Sequence, residues 1–463
     1  MEVESPVRSS LLDVFLDVAT AEPDAPALTV NGEVFTYGAL LDKAVAVRDQ
    51  AAADLGAYEP RHQAAPWIAV LARDVPGLLA AELAAMSLGA DVLLVDTRTP
   101  ANRLAESILA AGSPPLISCE PVDGLHGITP AESRRPRLGA RPGDLPSPRS
   151  GGRTGYQSLR AGSRPVVLPR EALLDDAAEF LRMTQFPAVG TWFSCLPPQS
   201  VNTQQTVAAM WLGGNCFATA GFAADRFWSD VAQAQAHATT VLGSMGQSLL
   251  RGRQRAPKCT RAALGGSFVR DPSAEFEEIT GVRLLNTFGT PLVGLVAANT
   301  MGERREGSVG RPVPTATVQV ADNTSEVPGR LEVAKPSRSV GYLDSDQSIL
   351  PLGATDDGYL QLVEHGHFDD DGFLFVTAWP GLLRRSGESI AHAAILSRLD
   401  TPPGVLSFAI VPDGNDGEWQ RYRLSATVGT GSGWTVTTLE GFCRTRLPRL
   451  MQPDAIDVAA KAT

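Results

Sequence analysis

The sequence predicts an α/β protein with a large N-terminal region and a small C-terminal α+β domain. Three observations support this fold class. Short apolar strand patterns alternate with helix-length patterns up to about residue 296, which is typical of parallel sheets covered by helices. Residues 309–376 are rich in strand signals separated by Gly and Pro, which indicates a β-rich subdomain. A final α/β stretch begins near Leu383, so we expect domains at 1–376 and 377–463.

The first elements follow from residue spacing. Residues 11–21 place Leu, Val and Phe on one side of a predicted helix. Next comes a predicted hairpin, in which strands at 27–30 and 34–37 flank the turn pair Asn31-Gly32. Further elements are predicted as a helix at 37–55, a buried strand at 67–72, a helix ending near residue 88 and a strand at 90–95.

The later part of the chain contains one interruption and an irregular end. In residues 132–164, Arg, Gly, Pro and Ser dominate and the apolar period vanishes, so we expect a loop. Strand and helix alternation resumes at Val166. The C-terminal domain is predicted to contain strands at 405–411 and 422–428, a helix at 438–446 and a frayed tail at 455–463.

Charge and cysteine usage exclude several classes of function. The net charge of -11 disfavours binding to nucleic acid or to an anionic membrane surface, since both need a concentrated basic face. We expect neither a transmembrane span nor a signal peptide, because the apolar runs are short and residues 1–10 carry charges without an apolar stretch. The five cysteines are scattered and form no CxxC pair, which indicates a reduced, cytoplasmic protein. We expect no metal site, because His365 and His367 have no third ligand nearby in the sequence.

Short motifs recur in a fixed order over more than 400 residues. In chain order they are 23–28 PDAPAL, 35–40 FTYGAL, 88–96 LGADVLLVD, 264–267 LGGS, 286–290 NTFGT, 307–312 GSVGRP, 341–342 GY, 371–376 DGFLFV, 384–390 RRSGESI and 443–448 CRTRLP. In this order they resemble the adenylate-forming (ANL) superfamily, which includes acyl-CoA synthetases, luciferases and nonribosomal peptide synthetase adenylation domains.

The resemblance implies a multi-layer α/β N-terminal domain followed by a small C-terminal lid. It also implies activation of a carboxylate through an acyl-adenylate. The cofactors would be ATP or AMP with Mg, or CoA or the phosphopantetheine of an acyl carrier protein. The partners would be a small carboxylic acid or acyl thioester, and an acyl carrier protein.

The resemblance also implies a nucleotide and acyl pocket. Phe288 could stack on adenine, or it could simply pack in the core. Glu364 stands where the superfamily carries a ribose-binding aspartate, and the alternative is a solvated loop acid. Gly265 and Gly266 could approach the ligand through their backbone, or they could only form a turn at the end of a strand. The pocket residues implied are Gly265, Gly266, Ser267, Asn286, Phe288, Gly289, Thr290 and Glu364.

A phosphate loop should precede Val166. The segment offers a degenerate version without the superfamily's lysine, in which Arg153 or Arg164 would replace that cation. The alternative is a linker that binds nothing. The residues implied are Ser150, Gly151, Arg153, Thr154, Gly155 and Arg164.

Several charged positions of the superfamily are absent. Leu292 replaces the glutamate that would bind magnesium, and residues 377–381 lack the hinge arginine and aspartate. The catalytic residues are therefore unknown. Lys461 is a candidate, although it could be a solvated tail residue, and Cys195 is another, although it could be a small buried thiol.

Three functions remain open at this stage. The first is an acyl-activating ligase of a specialised biosynthetic pathway whose use of ATP is impaired or altered. The second is a repurposed enzyme acting on an acyl-CoA or acyl-carrier thioester without ATP. The third is a non-catalytic pseudoenzyme that serves as a partner subunit. The lost charged residues favour the last two functions.

Overall fold

The structure is a computed structural model of the chain. It describes residues 10–55, 66–97, 104, 108, 111–118, 145, 152–156, 164–266, 271–321, 328–378, 380–385, 388–416 and 419–461. None of the helices in these ranges is long and apolar enough to cross a membrane. The helices are α1 Leu11–Ala21, α2 Tyr37–Leu55, α3 Val75–Ser87, α4 Arg170–Thr184, α5 Val201–Leu212, α6 Phe227–Gln233, α7 Ser244–Gly252, α8 Ser273–Thr280, α9 His392–Leu399 and α10 Val436–Arg446.

In the described ranges the first sheet has nine strands, and its central strands are parallel. Their order across the sheet is β14, β13, β12, β11, β10, β8, β9, β1 and β2. Pairing is parallel from β12 through to β1 and antiparallel at both edges. The strands are β1 Pro26–Val30, β2 Glu33–Thr36, β8 Thr191–Ser194, β9 Cys216–Thr219, β10 Ala238–Leu242, β11 Ala262–Gly266, β12 Arg283–Thr290, β13 Gly294–Ala298 and β14 Arg311–Pro312.

The second sheet contains seven of the described strands, in the order β18, β17, β7, β6, β4, β3 and β5. Strand β6 pairs with β4 and β7. The predicted loop at 132–164 is therefore wrong for residues 153–156. Their polar sequence shows no apolar period, and their strand geometry comes from these two neighbours. The strands are β3 Trp67–Leu71, β4 Asp91–Leu94, β5 Leu116–Ser118, β6 Arg153–Tyr156, β7 Val166–Pro169, β17 Gly341–Leu343 and β18 Ile349–Pro351.

Helices join the two sheets into one core. Helix α4 contacts β7 of the second sheet and β13 of the first, so it lies between them. All 13 residues of α3 are buried, and most residues of α5 are buried as well. Local capping supports this arrangement, because Asp74 accepts a hydrogen bond from the Gly77 N–H at the start of α3, and Ser200 does the same for Thr203 at α5.

A third sheet follows the first and is antiparallel. Among the described residues it contains four strands, in the order β15, β16, β19 and β20. Its strands are β15 Thr317–Ala321, β16 Gly329–Ala334, β19 Leu360–Phe368 and β20 Leu374–Ala378. The Val309 N–H donates to the Leu374 carbonyl, which ties this sheet to the connection between β13 and β14 of the first sheet.

The fourth sheet consists only of residues beyond 381, and we call residues 382–461 the C-terminal segment. It has its own apolar clusters, which include Leu383, Ile390, Tyr422 and Leu424. The described strands are β21 Leu382–Arg385, β22 Glu388–Ala391, β23 Val405–Asp416, β24 Trp419–Gly429 and β25 Ala455–Lys461.

The predicted fraying of the tail is wrong for residues 455–461. Strand β25 pairs in parallel with residues 423–429 of β24, from Ala455 opposite Arg423 to Lys461 opposite Gly429. This pairing satisfies backbone groups that a free tail would leave to water. Residues 462 and 463 lie outside the described part of the chain.

Candidate functional site

A cavity of about 180 Å³ lies where neighbouring parallel strands end. Strand β10 ends at Leu242, β11 ends at Gly266, and residues 287–290 are the last four of β12. Ligand sites of open α/β sheets form at these carboxyl ends. The described lining is Phe180, Val201, Asn202, Gln205, Leu242, Gly266, Asp271, Asn286, Thr287, Phe288, Gly289, Thr290, Pro291, Gly294, Leu295, Gly307, Val309, Glu364, Val376, Arg384 and Ser389.

Six of the eight residues predicted for the nucleotide and acyl pocket line this cavity. They are Gly266, Asn286, Phe288, Gly289, Thr290 and Glu364. Gly265 does not line it: this residue is buried in β11, and its carbonyl accepts a hydrogen bond of 2.8 Å from the Thr287 hydroxyl. Ser267 lies outside the described residues. The structure thus brings Glu364 to the same cavity as five residues that all lie more than 70 positions earlier in the sequence.

Hydrogen bonds hold the polar wall in place. The Asn286 side-chain amide donates to the Ser308 carbonyl over 3.3 Å, and the Gly307 N–H donates to Asp271 over 2.7 Å. Asp271 also accepts from the Ser273 N–H at the start of α8. Asn286 and Asp271 therefore orient the loop at 307–309 that closes this side of the cavity.

Phe288 combines the two roles considered from the sequence. Its ring is almost fully buried and belongs to the main apolar core, yet it also lines the cavity. The strand pairing shifts register between Phe288 and Gly289, which marks a bulge that alters where these residues point. A side chain at Gly289 would meet the Gly294 carbonyl at 2.6 Å, so only glycine fits this close approach.

Glu364 occupies a buried position of an alternating strand. In β19 the inward positions are Leu360, Leu362, Glu364 and Gly366, and Glu364 is 1% exposed. A carboxylate at a position that the pattern reserves for apolar side chains is costly unless something binds it. The alternative of a solvated loop acid is therefore excluded for Glu364, which is a buried strand residue that lines the cavity.

A buried ion pair lies behind the apolar wall. The Lys335 ammonium is 2.5 Å from an Asp176 carboxylate oxygen and also donates to the Leu295 carbonyl. Asp176 further accepts hydrogen bonds from the Gln205 amide and the Leu295 N–H, at 2.6 and 3.1 Å. Gln205 and Leu295 both line the cavity. Lys335 thus fixes the wall from behind and does not itself face the cavity.

The C-terminal segment also contributes to the lining. Arg384 of β21 and Ser389 of β22 are its two lining residues among those described. Arg384 is 4% exposed, and its main-chain N–H donates to the Gln420 side chain over 2.6 Å. The cavity is therefore closed by both parts of the chain.

The described residues assigned to a phosphate loop are Arg153, Thr154, Gly155 and Arg164, and none of them lines this cavity. Arg153 starts β6, and its guanidinium pairs with the Asp91 carboxylate and lies over the Trp67 ring. Thr154 and Gly155 are buried in the same strand. Arg164 is half exposed and stands 3.5 Å from Asp344.

Because Arg153 is committed to Asp91, the structure does not support its role as a replacement phosphate cation. The connection between β6 and β7, residues 157–163, lies outside the described residues, as do Ser150 and Gly151.

Neither of the two candidate catalytic residues, Cys195 and Lys461, lines the cavity. Burial raises the pKa of the Cys195 thiol to about 12, with a smaller contribution from the charge of nearby Asp230. A thiol that stays protonated at neutral pH is a poor nucleophile. Lys461 lies in β25 on the exposed side of the fourth sheet.

Sequence reasoning missed the lining residues from α4, α5 and the C-terminal segment. Asn202 and Gln205 are three positions apart on α5, so they share one helix face. That spacing was the available signal. Nothing local in the sequence showed that Arg384 faces the cavity, because this depends on how the segment docks.

Magnesium has no carboxylate at the position where the superfamily carries one. Leu292 follows the cavity-lining Pro291, and its N–H donates to the Thr290 hydroxyl. Within the described ranges, no group of three or more His, Cys, Asp and Glu side chains could hold a metal ion. Position 292 therefore offers no oxygen ligand for magnesium.

Comparison with known proteins gives several relatives that are ligases. The chain is 28% identical to a probable CoA ligase of Humulus lupulus over 42% of its length, and 22% identical to the crotonobetaine/carnitine–CoA ligase of Proteus mirabilis over 58%. These matches span 40% and 54% of the two relatives, so the chain covers about half of their length. A 25% identical match to the phenyloxazoline synthase MbtB of Mycobacterium tuberculosis spans 89% of this chain and 31% of that protein. No family model matches the chain.

The solved structures agree along nearly the whole chain. o-Succinylbenzoate CoA synthetase of Bacillus subtilis, bound to a product analogue, has a TM-score of 0.82 at 17% identity and covers 96% of this chain and 94% of its own. The chain therefore has the fold of the adenylate-forming superfamily. A malonyl-CoA ligase with methylmalonyl-CoA and AMP bound has a TM-score of 0.76 at 18% identity, covering 97% of this chain and 99% of its own.

A second state of the same Bacillus subtilis synthetase matches less well. Its complex with ATP and magnesium ion has a TM-score of 0.67, again at 17% identity, with coverage of 96% of this chain and 95% of the synthetase. The superfamily fold predicted from the sequence motifs is confirmed, and so is the mixed α/β class.

Proposed function

We propose that this chain is an acyl-activating, ligase-like protein that binds a small carboxylate or its acyl derivative, and that its use of ATP is impaired or altered. The observation that carries the proposal is the composition of the cavity. It retains the aromatic, glycine and amide positions of the superfamily at the ends of β11 and β12. Its described lining contains no lysine and no glutamate at position 292. We assign it to a specialised biosynthetic pathway in the cytoplasm.

An adenosine nucleotide fits the polar side of this cavity in chemical terms. The Phe288 ring offers a stacking surface, and the Glu364 carboxylate can accept hydrogen bonds from two ribose hydroxyls. AMP is therefore the part of the cofactor that the residues support. ATP with magnesium, CoA and carrier-bound phosphopantetheine remain proposals.

We also propose that residues 377–463 act as a lid on residues 1–376. Arg384 and Ser389 reach the cavity from beyond the proposed boundary, so any movement of the C-terminal segment would change the site. Pro380 lies in the short connection, and its fixed φ would restrict rotation there.

A second candidate function follows from the charged positions that the cavity lacks. We weigh an enzyme acting on an acyl-CoA or acyl-carrier thioester without ATP, with an acyl carrier protein as partner. The described lining has no lysine, and Leu292 stands where the superfamily carries a glutamate, which supports this alternative. A non-catalytic partner subunit remains the third candidate.

Carboxylate-dependent exchange of pyrophosphate into ATP tests the first function. We expect exchange near background with a panel of aryl and short-chain acids, together with measurable binding of AMP by calorimetry. Robust magnesium-dependent AMP production would contradict the impaired use of ATP. Binding of acyl-CoA without exchange would favour the thioester enzyme, and binding of neither ligand would favour the partner subunit.

The variant Glu364→Ala tests whether Glu364 binds the nucleotide. We expect it to weaken AMP binding by roughly tenfold, because hydrogen bonds to a charged group contribute about 1.5–3 kcal/mol. Glu440→Ala is the control, since this glutamate lies on α10 and its described ion pair with Arg444 is on the surface. Equal AMP affinity in both variants would remove Glu364 from the nucleotide site.

A further inference from the structure

We propose that Arg384 and Ser389 form a phosphate-binding pair that the C-terminal segment contributes to the cavity. The inference rests on the proposed function, since it assumes that a phosphate-bearing ligand enters this cavity. The cation that contacts the phosphate is then Arg384, a strand residue of the C-terminal segment, and not a residue of the loop before Val166.

The pairing of β21 and β22 puts both side chains on one face. Arg384 stands directly opposite Ser389 in this antiparallel pair. Residues opposite each other in such a pair project from the same side of the sheet. Both line the cavity, so the hairpin presents a guanidinium and a hydroxyl side by side.

The adjacent arginine shows that the two positions have separate tasks. Successive side chains of a strand point to opposite faces. Arg385 points into the C-terminal segment, where it ion-pairs with Asp454 and donates to the carbonyls of Gln420, Leu450 and Gln452. Its guanidinium also lies over the rings of Trp419 and Tyr422. Arg385 thus has the structural role in the C-terminal segment, while Arg384 faces the cavity.

Arg384 provides the positive charge of the described cavity lining. Among the described lining residues Arg384 is the only cation, and the acids are Asp271 and Glu364. Asp271 is engaged by the N–H groups of Gly307 and Ser273. A guanidinium that is 4% exposed interacts strongly with an anion, because little water screens it.

Phosphate suits this pair better than a carboxylate alone would. The guanidinium can form two parallel hydrogen bonds to phosphate oxygens, and the hydroxyl can donate to a third oxygen. The phosphate could belong to the 5′-phosphate of AMP or to the phosphates of CoA. Both sources share the same chemistry, and separate titrations distinguish them.

The test is calorimetric titration of the full chain with AMP, CoA and adenosine. Arg384→Gln should weaken the binding of AMP, of CoA or of both by at least about tenfold, and leave adenosine unchanged. Ser389→Ala should weaken the same ligand by roughly threefold to tenfold, which is about one neutral hydrogen bond. Arg384→Lys keeps the charge but loses the planar fork, so its loss should be smaller than that of Arg384→Gln.

Arg444→Gln is the matched control. This arginine belongs to the same segment, is exposed on α10 and contacts Glu440. It should bind all three ligands like the wild-type chain. Thermal unfolding of each variant accompanies the titrations, and Arg384→Lys preserves the test if Arg384→Gln does not fold.

The outcomes separate the inference from the function. Weaker AMP binding supports the pair with a nucleotide phosphate, and weaker CoA binding supports it with a CoA phosphate. Wild-type affinities of Arg384→Gln for both ligands would overturn the pair and leave the proposed function standing. A wild-type chain that binds none of the three ligands would overturn the proposed function and the inference together.

Discussion

Two buried polar networks in the N-terminal region differ in how their charges are satisfied. The first, behind the cavity, joins Asp176, Lys335 and Gln205, and the carboxylate has partners on both oxygens. The second lies under β6 and contains Glu82 and Arg170. In the described part of the chain, neither carboxylate oxygen of Glu82 has a hydrogen-bond partner.

In the second network, ionisation of the Glu82 carboxyl is therefore energetically unfavourable. Burial raises the pKa of Glu82 to about 7, although nearby Arg170 and Gln204 act in the opposite direction. Burial also lowers the pKa of Arg170, whose guanidinium donates to the Ala90 carbonyl over 2.7 Å. A side chain at Gly152 would collide with this guanidinium, so the chain leaves room for it there.

The difference shows which buried network can hold a site. A carboxylate with a cation and several donors stays charged in one geometry, and its partners Gln205 and Leu295 are cavity residues. A carboxylate without donors gains or loses a proton near neutral pH, and none of its neighbours in the described chain lines the cavity. We expect the first network to control the site and the second to control the response to pH.

Removing the cation of the first network should have the largest effect on stability. Lys335→Met leaves the Asp176 carboxylate buried without its counter-charge, which costs about 3–5 kcal/mol. Urea denaturation at pH 7 measures the loss. The double variant Lys335→Met with Asp176→Asn removes both charges and keeps an acceptor, so it should lose less than the single variant. Equal losses would show that the ion pair does not stabilise the fold in the way described.

Neutralising the second network should change the pH profile of stability. The Glu82 pKa is higher in the folded chain than its ordinary 4.5, so the folded state holds a proton that the unfolded state releases. The free energy of unfolding of the wild type should fall as pH rises from about 4.5 to 7, by roughly 3 kcal/mol in all.

Glu82→Gln removes this contribution. Relative to wild type, its stability should be similar near pH 5 and higher near pH 8, because only the wild type then buries an ionised carboxylate. Denaturant titrations at the two pH values provide the comparison. Parallel pH profiles for the two proteins would refute the raised pKa.

Two adjacent glutamines on α5 provide a comparison with the smallest expected effect. Gln205 donates to Asp176 and lines the cavity, whereas Gln204 donates to the Pro198 carbonyl and does not. Replacing either with Met should cost about 1 kcal/mol of stability. Only Gln205→Met should also change the affinity for AMP or acyl-CoA in calorimetric titrations. A matching change in Gln204→Met would mean that the second network reaches the site as well.

Much of the fold was predictable because its signals are local. The predicted helix at 11–21 matches α1, where periodic apolar residues follow a Ser10 cap. The predicted helix at 37–55 matches α2, and the Asn31-Gly32 hairpin is present between β1 and β2. The motif residues of the cavity were found for the same reason, since they lie at the ends of β11 and β12.

The errors concern residues whose structure depends on distant partners. Residues 153–156 lack an apolar pattern, and they form a strand because β4 and β7 pair with them. Residues 455–461 resemble a frayed end, and they form a strand because β24 offers an unpaired edge. Glu364 resembled a loop acid because its neighbours in sequence are polar, while its burial comes from strand alternation in the third sheet.

The sequence by itself determined the α/β class, the order of most elements, the likeness to the superfamily fold and the residues at the ends of two strands. Periodicity, capping and turn preferences act over a few residues, so they are visible in one chain. The tertiary structure decided that Lys335 lies behind the cavity wall, that Arg153 pairs with Asp91 and that Arg384 faces the cavity. These outcomes depend on which strands pair and how the C-terminal segment docks, and both involve residues far apart in the sequence.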